Sequence, residues 1–240
     1  MLGIISGNVQ ILEPGYLNNL KKVVKENEFG QANLLVSDTI AFLSRHGCDP
    51  GTHILPHLIN HQANMKALKD MGVSKVIGVN STGSLSKDLQ PGAIVIPDDF
   101  IMLSPSISIY ASSKVHIVPC LNMKVRSYVL QAAYNCGIEV KDGGIYWQTT
   151  GPRLETRAEI SMMSKFADIV GMTMASEAII AGELGLPYAA ICSVDNYAHG
   201  IGGNNLTMEE ISCNARRSGK TISRILTTYV EFHSSIRNTF

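Results

Sequence analysis

Short apolar runs alternate with longer segments of helical periodicity along most of this chain, and that alternation restricts the folds open to it. The runs are rich in β-branched residues, and several are almost wholly apolar, as is typical of strands covered on both faces. These predicted strands are 2–5, 34–36, 40–43, 76–79, 93–96, 144–147, 169–172 and 189–194. Helical spacing is found at 55–71, 123–136, 155–166, 174–184 and 206–232. The pattern predicts an α/β fold with a central mixed β-sheet flanked by helices.

The organisation of the chain favours one domain over residues 1–240. Its length is ordinary for a single α/β domain, and 45% hydrophobic residues are enough to build a large core. We find no internal repeat, low-complexity tract or linker. Two polar segments, 104–114 and 198–205, are predicted to be loops, and long polar loops of this kind often border a binding site.

Charge and cysteine content exclude several classes of protein. Twenty basic and twenty acidic residues give a formal charge of zero, which argues against non-specific nucleic-acid binding but leaves room for a local basic pocket. The five cysteines contain no C-x-x-C pair, so neither a disulfide framework nor a structural zinc site is expected. No apolar run is long enough for a membrane helix, and the N-terminus has no basic leader. We therefore expect a cytoplasmic protein without a membrane segment.

An arginine, a histidine and a glycine follow the predicted strand 40–43. Arg45 has a planar fork of donors, His46 adds another, and Gly47 allows the backbone to turn sharply, so the three suit an oxyanion. The alternative is a surface arginine beside a histidine that only caps the core. For this tetrapeptide alone, we favour that alternative.

Small polar residues follow the strand 76–79 in the segment VNSTGSL. The N–H groups and hydroxyls of such a segment can converge on one phosphate, although the Gly-Lys-Ser/Thr ending of a Walker loop is missing. Alone, the segment is more typical of an ordinary turn. A hydroxyl, Thr173, and a flexible apolar residue, Met172, end another strand in the same way, and Met172 taken alone is more typical of a core residue.

Two further strand ends carry groups that suit the edge of a purine. Glu155 follows a Gly-Pro pair where a helix begins, so it either favours the helix N-terminus electrostatically or accepts from a ligand N–H. Asn196 either caps a turn or uses its amide both to donate to and to accept from a purine. Arg153 is better explained by a structural ion pair. All these motifs lie at strand ends, where open α/β sheets bind ligands.

Six segments, taken in order, resemble the purine nucleoside phosphorylase and methylthioadenosine phosphorylase family. They are SRHG, HQANMKALKDMGVSKVIGVNSTGSL, QPGAIVIPDDFI, TTGPRLETRAEI, ADIVGMT and LGLPYAAIC. The resemblance covers most of the chain and is strongest over 42–101 and 143–197. It implies a nucleoside phosphorylase fold and a homotrimer, with a hexamer as the alternative, whose active sites lie near subunit interfaces. It also implies that phosphate is a co-substrate and that neither a metal nor another cofactor is needed.

The resemblance assigns a role to each candidate site residue. Residues expected to bind phosphate, some of them also lining the ribose, are Ser6, Arg45, His46, Asn80, Ser81 and Thr173. Residues expected to contact the nucleoside are Leu154 over the base, Met172 beside the ribose, Glu155 and Asn196 on the base, and His116, lent by a neighbouring subunit. The first loop departs from the family pattern. Family members have Gly-Gly-Thr-Gly or Gly-Ser-Gly there, whereas this chain has Asn8 and Val9, so Ser6 is expected to replace the missing hydroxyl or the loop to sit differently.

The pair Glu155 and Asn196 resembles the base-binding pair of family members that act on 6-oxopurines. In the adenine-specific members of the family that this chain resembles, the first position is Ser and the second is Asp. Another Asp follows two residues later, where this chain has Ala198. A carboxylate accepts from the N1–H of hypoxanthine, whereas adenine N1 carries no proton. The pattern therefore predicts phosphorolysis of 6-oxopurine nucleosides such as inosine, guanosine or methylthioinosine. The alternatives are a methylthioadenosine phosphorylase, a nucleosidase and a non-catalytic nucleoside-binding protein.

Overall fold

The computed structural model describes residues 1–7, 11–12, 15, 19–47, 53–104, 107–110, 113–203 and 207–237, with side chains described to residue 232. Asn8 and Val9, on which the departure from the family's first loop rests, lie outside the described residues. Within that part of the chain, no helix combines the length and the apolar character needed to cross a membrane.

Eleven strands form one mixed sheet among the described residues. They are β1 (Leu2–Ser6), β2 (Lys21–Asn27), β3 (Gly30–Val36), β4 (Ile40–Ser44), β5 (Lys75–Ser84), β6 (Ile94–Ile96), β7 (Asp99–Met102), β8 (Lys141–Asp142), β9 (Ile145–Gln148), β10 (Ile169–Gly171) and β11 (Tyr188–Tyr197). The helices are α1 (His61–Asp70), α2 (Met123–Asn135), α3 (Arg157–Met163), α4 (Met174–Glu183) and α5 (Met208–Arg237). The predicted α/β class and the central mixed sheet are confirmed.

Strand β5 is the centre of the sheet. Along one direction the order is β2-β3-β4-β1-β5-β10-β9-β7, while β11 pairs with β5 and leads on to β6 and β8. Strands β4, β1, β5 and β11 run parallel, and β10 runs antiparallel to β5. Parallel strands of this kind are covered on both faces by helices, which explains their nearly continuous apolar sequences.

Two layers of helices cover the sheet, and the alternation of strand residues separates their cores. On one face, α1 and α4 pack against side chains that include Ile5, Leu43 and Val76. On the other face, α2 and α5 pack against side chains that include Ile4 and Phe42. Because neighbouring strand residues point to opposite faces, the chemistry on each face can be deduced from the register.

The sequence prediction differs from the structure mainly at the periphery. The helix predicted at 55–71 is a short 3-10 turn at Pro56–Leu58 followed by α1, which begins after Asn60 because the Asn60 side chain accepts from Ala63 N. Three strands were not predicted, namely β2, β7 and β8. Strand β2 reads KKVVKEN and lies at an edge of the sheet, where lysines protect unpaired backbone groups but conceal the apolar pattern.

Candidate active site

The candidate site is built around a gap along one edge of β5. Strand β11 pairs along the other edge from Val76 to Ser84, so β1 and β10 must share the remaining edge. Strand β1 pairs with β5 only as far as Gly78, and β10 pairs only with Gly83 and Ser84. Because β1 and β10 run in opposite directions, their carboxyl ends approach each other across residues 79–82. The predicted phosphate segment lies in this gap.

Arg45 enters the gap from the end of β4, and its side chain is buried. Its Nη1 donates to the Val79 carbonyl over 2.9 Å, at the gap in the edge. Its Nε and Nη2 donate to the two carboxylate oxygens of Glu177, over 2.6 Å and 3.1 Å. The pair is almost fully buried, with side-chain exposures of 3% and 2%. Although burial alone lowers the pKa of Arg45, the charge and hydrogen bonds of Glu177 raise it above its ordinary value.

Asn80 and Thr173 meet in the same gap. Asn80 Nδ2 donates to Thr173 Oγ1 over 2.9 Å, while Asn80 Oδ1 is buried and has no hydrogen-bond partner. Thr173 N and Met174 N both donate to the hydroxyl of Tyr146, which fixes the N-terminus of α4 against the sheet. A buried amide oxygen that accepts no hydrogen bond is costly. Asn80 Oδ1 is therefore suited to accept a hydrogen bond from a ligand.

Two more of the predicted residues, Ser6 and His46, lie next to Arg45. Ser6 is buried at the end of β1, opposite Ser44 in the register, and its carbonyl accepts from Arg45 N over 2.7 Å. The His46 ring lies against Gly7, contacts the Ile54 carbonyl through Nδ1 and stacks on His53 with centroids 4.5 Å apart.

Two histidines near Arg45, His46 and His61, have depressed pKa values. Burial lowers the pKa of His46, and the positive charge of Arg45 lowers it further. His61, at the start of α1, is buried, and burial lowers its pKa to about 4. At neutral pH, therefore, neither histidine adds a positive charge to that of Arg45.

Glu155 is buried and is held by a residue that the sequence argument passed over. Thr149 Oγ1 donates to Glu155 Oε1 over 2.6 Å, and Thr149 N donates to the Gly171 carbonyl at the end of β10. Gly151 has a φ of +69°, and a Cβ there would lie only 2.6 Å from Met172 Sδ. The segment that carries Glu155 is thus packed directly onto Met172, beside Thr173.

Asn196 lies near the end of β11, where it is paired with Gly83 of β5. It follows an irregularity in the register of β11, its Nδ2 donates to the Tyr197 carbonyl, and that nitrogen would be 3.0 Å from a Cβ at Gly83. Three residues later, His199 Nδ1 contacts the Glu155 carbonyl over 3.2 Å. The two predicted base-binding residues are therefore joined through the loop that begins at Ala198.

Arg157 completes that connection. Its Nε donates to His199 Nε2 over 3.4 Å, so Nε2 is the acceptor nitrogen and Nδ1 carries the proton donated to Glu155. The predicted loop at 198–205 borders the candidate site over its described residues, because it packs on the beginning of α3 through Gly200.

Three of the predicted site residues are exposed, namely Ser81, Leu154 and His116. Ser81 points to the opposite sheet face from Asn80, since neighbouring residues of β5 alternate, and its hydroxyl faces the Asp195 carboxyl there. Leu154 is 42% exposed. His116 is exposed, and its neighbour Ile117 lies against Gly182, near the end of α4 that is about 14 Å from Thr173. A role for His116 in this site would need a second subunit, and it stays a prediction.

Arg153 forms the structural ion pair that its sequence context favoured. It binds both oxygens of Glu159 over 2.9 Å and 2.7 Å, and the hydrogen bond with Arg153 lowers the pKa of Glu159 to about 2. No group of three His, Cys, Asp or Glu side chains within the described ranges is arranged to hold a metal ion.

Several groups that hold the candidate site residues in place were not identified from the sequence. These are Glu177, Tyr188, Tyr146, Thr149, Arg157 and His199. One signal was available for Glu177, because a carboxylate among the apolar residues of MASEAIIAG falls on the buried face of a helix and requires a partner. Tyr146 and His199 contact residues 27 and 44 positions away, so these contacts depend on the tertiary fold.

Comparison with known proteins identifies the family. The pattern of the phosphorylase superfamily matches residues 10–231. This chain belongs to that superfamily. A probable 6-oxopurine nucleoside phosphorylase of Archaeoglobus fulgidus is 40% identical over 231 residues, 94% of each chain. A probable S-methyl-5′-thioinosine phosphorylase of Methanocaldococcus jannaschii is 33% identical over 97% of this chain and 92% of its own.

Solved structures agree with the fold. A methylthioadenosine phosphorylase from an Antarctic soil metagenomic library superimposes with a TM-score of 0.86 and 27% identity, covering 98% of this chain and 86% of its own. The methylthioadenosine phosphorylase of Schistosoma mansoni in complex with adenine has a TM-score of 0.86 and 25% identity, covering 98% and 91%. The resemblance predicted from the six sequence segments is confirmed.

Proposed function

We propose that this chain is a purine nucleoside phosphorylase that acts on 6-oxopurine nucleosides, with inosine, guanosine and methylthioinosine as candidate substrates. The observation that carries the specificity is the buried Glu155 carboxylate. Its Oε1 accepts from Thr149, and Oε2 forms no hydrogen bond within the described part of the chain, so one acceptor is left for a purine N1–H. Relatives named as 6-oxopurine and methylthioinosine phosphorylases support the same assignment.

The reaction needs little covalent chemistry from the protein. The C1′–N9 bond breaks with its electron pair left on the purine, and a phosphate oxygen bonds to C1′, so that the products are a free base and a ribose 1-phosphate. Phosphate is already a nucleophile, and the protein contributes position and electrostatic stabilisation. As proposed, the step uses neither a metal nor an organic cofactor.

Phosphate is proposed to bind in the gap beside β5. Arg45 uses three of the five N–H donors of an arginine on Glu177 and Val79, which leaves two for an oxyanion. Asn80 Oδ1 is suited to accept from the hydroxyl of hydrogen phosphate or of the ribose. Ser6, His46 and Thr173 complete the proposed set around phosphate and ribose, and Ser81 is left out because its hydroxyl faces Asp195 on the other side of β5.

The purine is proposed to lie between Glu155 and Asn196, with Met172 beside the ribose and Leu154 over the base. Asn196 Nδ2 has two hydrogens, of which one goes to Tyr197, so the second can stabilise purine N7 as negative charge develops. His116 of a neighbouring subunit is proposed to reach the 5′ group, which requires a homotrimer or a hexamer. We also propose that the enzyme is cytoplasmic and serves purine salvage.

The main alternative is a methylthioadenosine phosphorylase. Both solved structures compared above carry that name, and one of them binds adenine. A nucleosidase or a non-catalytic nucleoside-binding protein would share the fold as well.

The test is release of free base from methylthioinosine, inosine and methylthioadenosine, each with and without phosphate. We expect hypoxanthine to be released only when phosphate is present. Release of adenine from methylthioadenosine, and not of hypoxanthine, would identify an adenine-specific phosphorylase. Release of free base without phosphate would identify a nucleosidase. Binding of methylthioinosine with no release of base would identify a binding protein.

A further inference from the structure

The Arg45–Glu177 pair is an unusual component for a site proposed to hold a phosphate. Arg45 supplies positive charge in the gap, yet its guanidinium lies against a carboxylate that is equally buried, and both oxygens of that carboxylate accept from it. An arginine whose only task is to attract an anion would gain affinity without this carboxylate. The pairing therefore calls for an explanation that goes beyond anion binding.

The surroundings of Glu177 show that the carboxylate is built into the fold. The Tyr188 hydroxyl donates to Glu177 Oε2 over 2.7 Å, which adds a third hydrogen bond to those from Arg45. Space for this arrangement exists only because residue 78 is glycine. A Cβ there would lie 1.9 Å from the Tyr188 hydroxyl and 3.0 Å from Glu177 Oε2.

The local charge follows from these contacts. Arg45 and Glu177 cancel, and the neighbouring His46 and His61 have lowered pKa values, so both are neutral near pH 7. The other groups proposed at the phosphate, Ser6, Asn80 and Thr173, carry no charge. A phosphate bound in this gap would therefore keep its negative charge, which is the charge available to stabilise a cationic ribose on its other side.

We propose that Glu177 is a positioning residue that holds the Arg45 fork in place and cancels its charge, so that phosphate is bound by directed hydrogen bonds and remains an effective nucleophile. The proposal rests on the phosphorylase function proposed above. Glu177 acts through Arg45 and does not touch the substrate. Its removal should affect turnover and phosphate affinity in opposite directions, because an unbalanced Arg45 holds the phosphate dianion more strongly in the ground state than in the transition state.

The test compares Glu177→Gln with wild type by two measurements, kcat at saturating phosphate and the Kd of inorganic phosphate from calorimetry. Glutamine keeps the volume and one acceptor but removes the charge. We expect kcat to fall at least about ten-fold, while the phosphate Kd decreases. Glu183→Gln on the same helix is the matched control, because Glu183 binds Ser108 and Ile109 away from the gap. Its kcat and phosphate Kd should equal those of wild type.

A second variant keeps the test informative where Glu177→Gln folds poorly. Glu177→Asp retains the charge with a shorter side chain, so we expect it to lose stability but to retain a kcat well above that of Glu177→Gln. A weaker phosphate Kd in Glu177→Gln with unchanged kcat would overturn the proposal, as would an Asp variant as slow as the Gln variant. Wild-type protein that binds phosphate but releases no base would refute the phosphorylase function, and the Kd comparison would still test the charge at Glu177.

Discussion

The amide of Asn80 donates to the hydroxyl of Thr173 over 2.9 Å and so joins the middle of β5 to the residue that precedes α4. The two residues are 93 positions apart, and they meet because β10 ends where β1 has stopped pairing with β5. The remaining amide atom, Asn80 Oδ1, is buried without a partner. The phosphate is proposed to bind next to this unsatisfied oxygen.

Removal of the Asn80 amide should weaken phosphate binding. A hydrogen bond to a charged group is worth about 1.5–3 kcal/mol, so we expect Asn80→Ala to raise the KM for phosphate on the order of ten-fold or more. The KM for the nucleoside should change less. Steady-state kinetics with phosphate varied measure the effect, with Asn135→Ala, an exposed asparagine of α2, as the control. An unchanged KM for phosphate would remove Asn80 from the proposed site.

Substitution of Glu155 should change the choice of base. In Glu155→Gln the amide offers a donor in the space of Oε2, and a purine N1–H then faces another N–H. We expect kcat/KM for inosine or methylthioinosine to fall about a hundred-fold, with a much smaller loss for methylthioadenosine. Glu210→Gln, on the exposed first turn of α5, is the matched control. Equal losses for both kinds of nucleoside would refute the assignment of Glu155 to the base.

The contacts of His199 with Arg157 and with the Glu155 carbonyl should affect the KM of the nucleoside and not the KM of phosphate. His199→Ala breaks the contacts with the Glu155 carbonyl and with Arg157, so the loop that carries Asn196 is no longer tied to Glu155. We expect the KM of the nucleoside to rise about three- to ten-fold, as for the loss of a hydrogen bond of ordinary strength. Kinetics with each substrate varied separate the two effects, and His57→Ala, an exposed histidine, is the control. A change confined to the KM of phosphate would contradict this prediction.

Burial of His61 should make the fold sensitive to acid. Its pKa is about 4 in the folded protein and 6.5 ordinarily, so the unfolded chain binds the extra proton as the pH falls from about 6.5 to 4. Stability is unaffected above that window and decreases within it, by about 3 kcal/mol for the full shift. The neighbouring charged or titratable groups are Glu177, Arg45 and His46.

Urea unfolding at pH 5 and at pH 7.5 measures that sensitivity. In His61→Gln, we expect the difference in unfolding free energy between the two pH values to be smaller than in wild type. His57→Gln, at an exposed histidine, should keep the wild-type difference. Equal pH dependence in wild type and His61→Gln would show that acid acts through another group.

Much of the fold could be predicted from the sequence because its signals are local. Apolar runs such as LGIIS and IAFLS, and the periodicity of α2, α4 and α5, identify buried strands and amphipathic helices without any knowledge of their partners. Strand β2 was missed for the same reason, since its lysines satisfy the needs of a sheet edge rather than of a core. The short strand β8, Lys141–Asp142, has no pattern of its own.

The candidate site was only partly predictable. Arg45, Asn80, Glu155, Thr173 and Asn196 were identifiable as polar groups at strand ends, and their order along the chain established the family resemblance. The sequence by itself thus determined the fold class, the family and the set of strand ends that carry the chemistry.

Only the tertiary structure decided how those groups are used. The gap beside β5 exists because two strands of opposite direction share one edge, and this depends on register rather than on any local pattern. The pairing of Arg45 with Glu177, 132 positions away, depends on the packing of α4 over the sheet. Alternation along β5 separates Ser81 from Asn80 although the two are adjacent in sequence. Hydrogen bonds and ion pairs between distant segments are set by burial and register, which become defined only when the chain is folded.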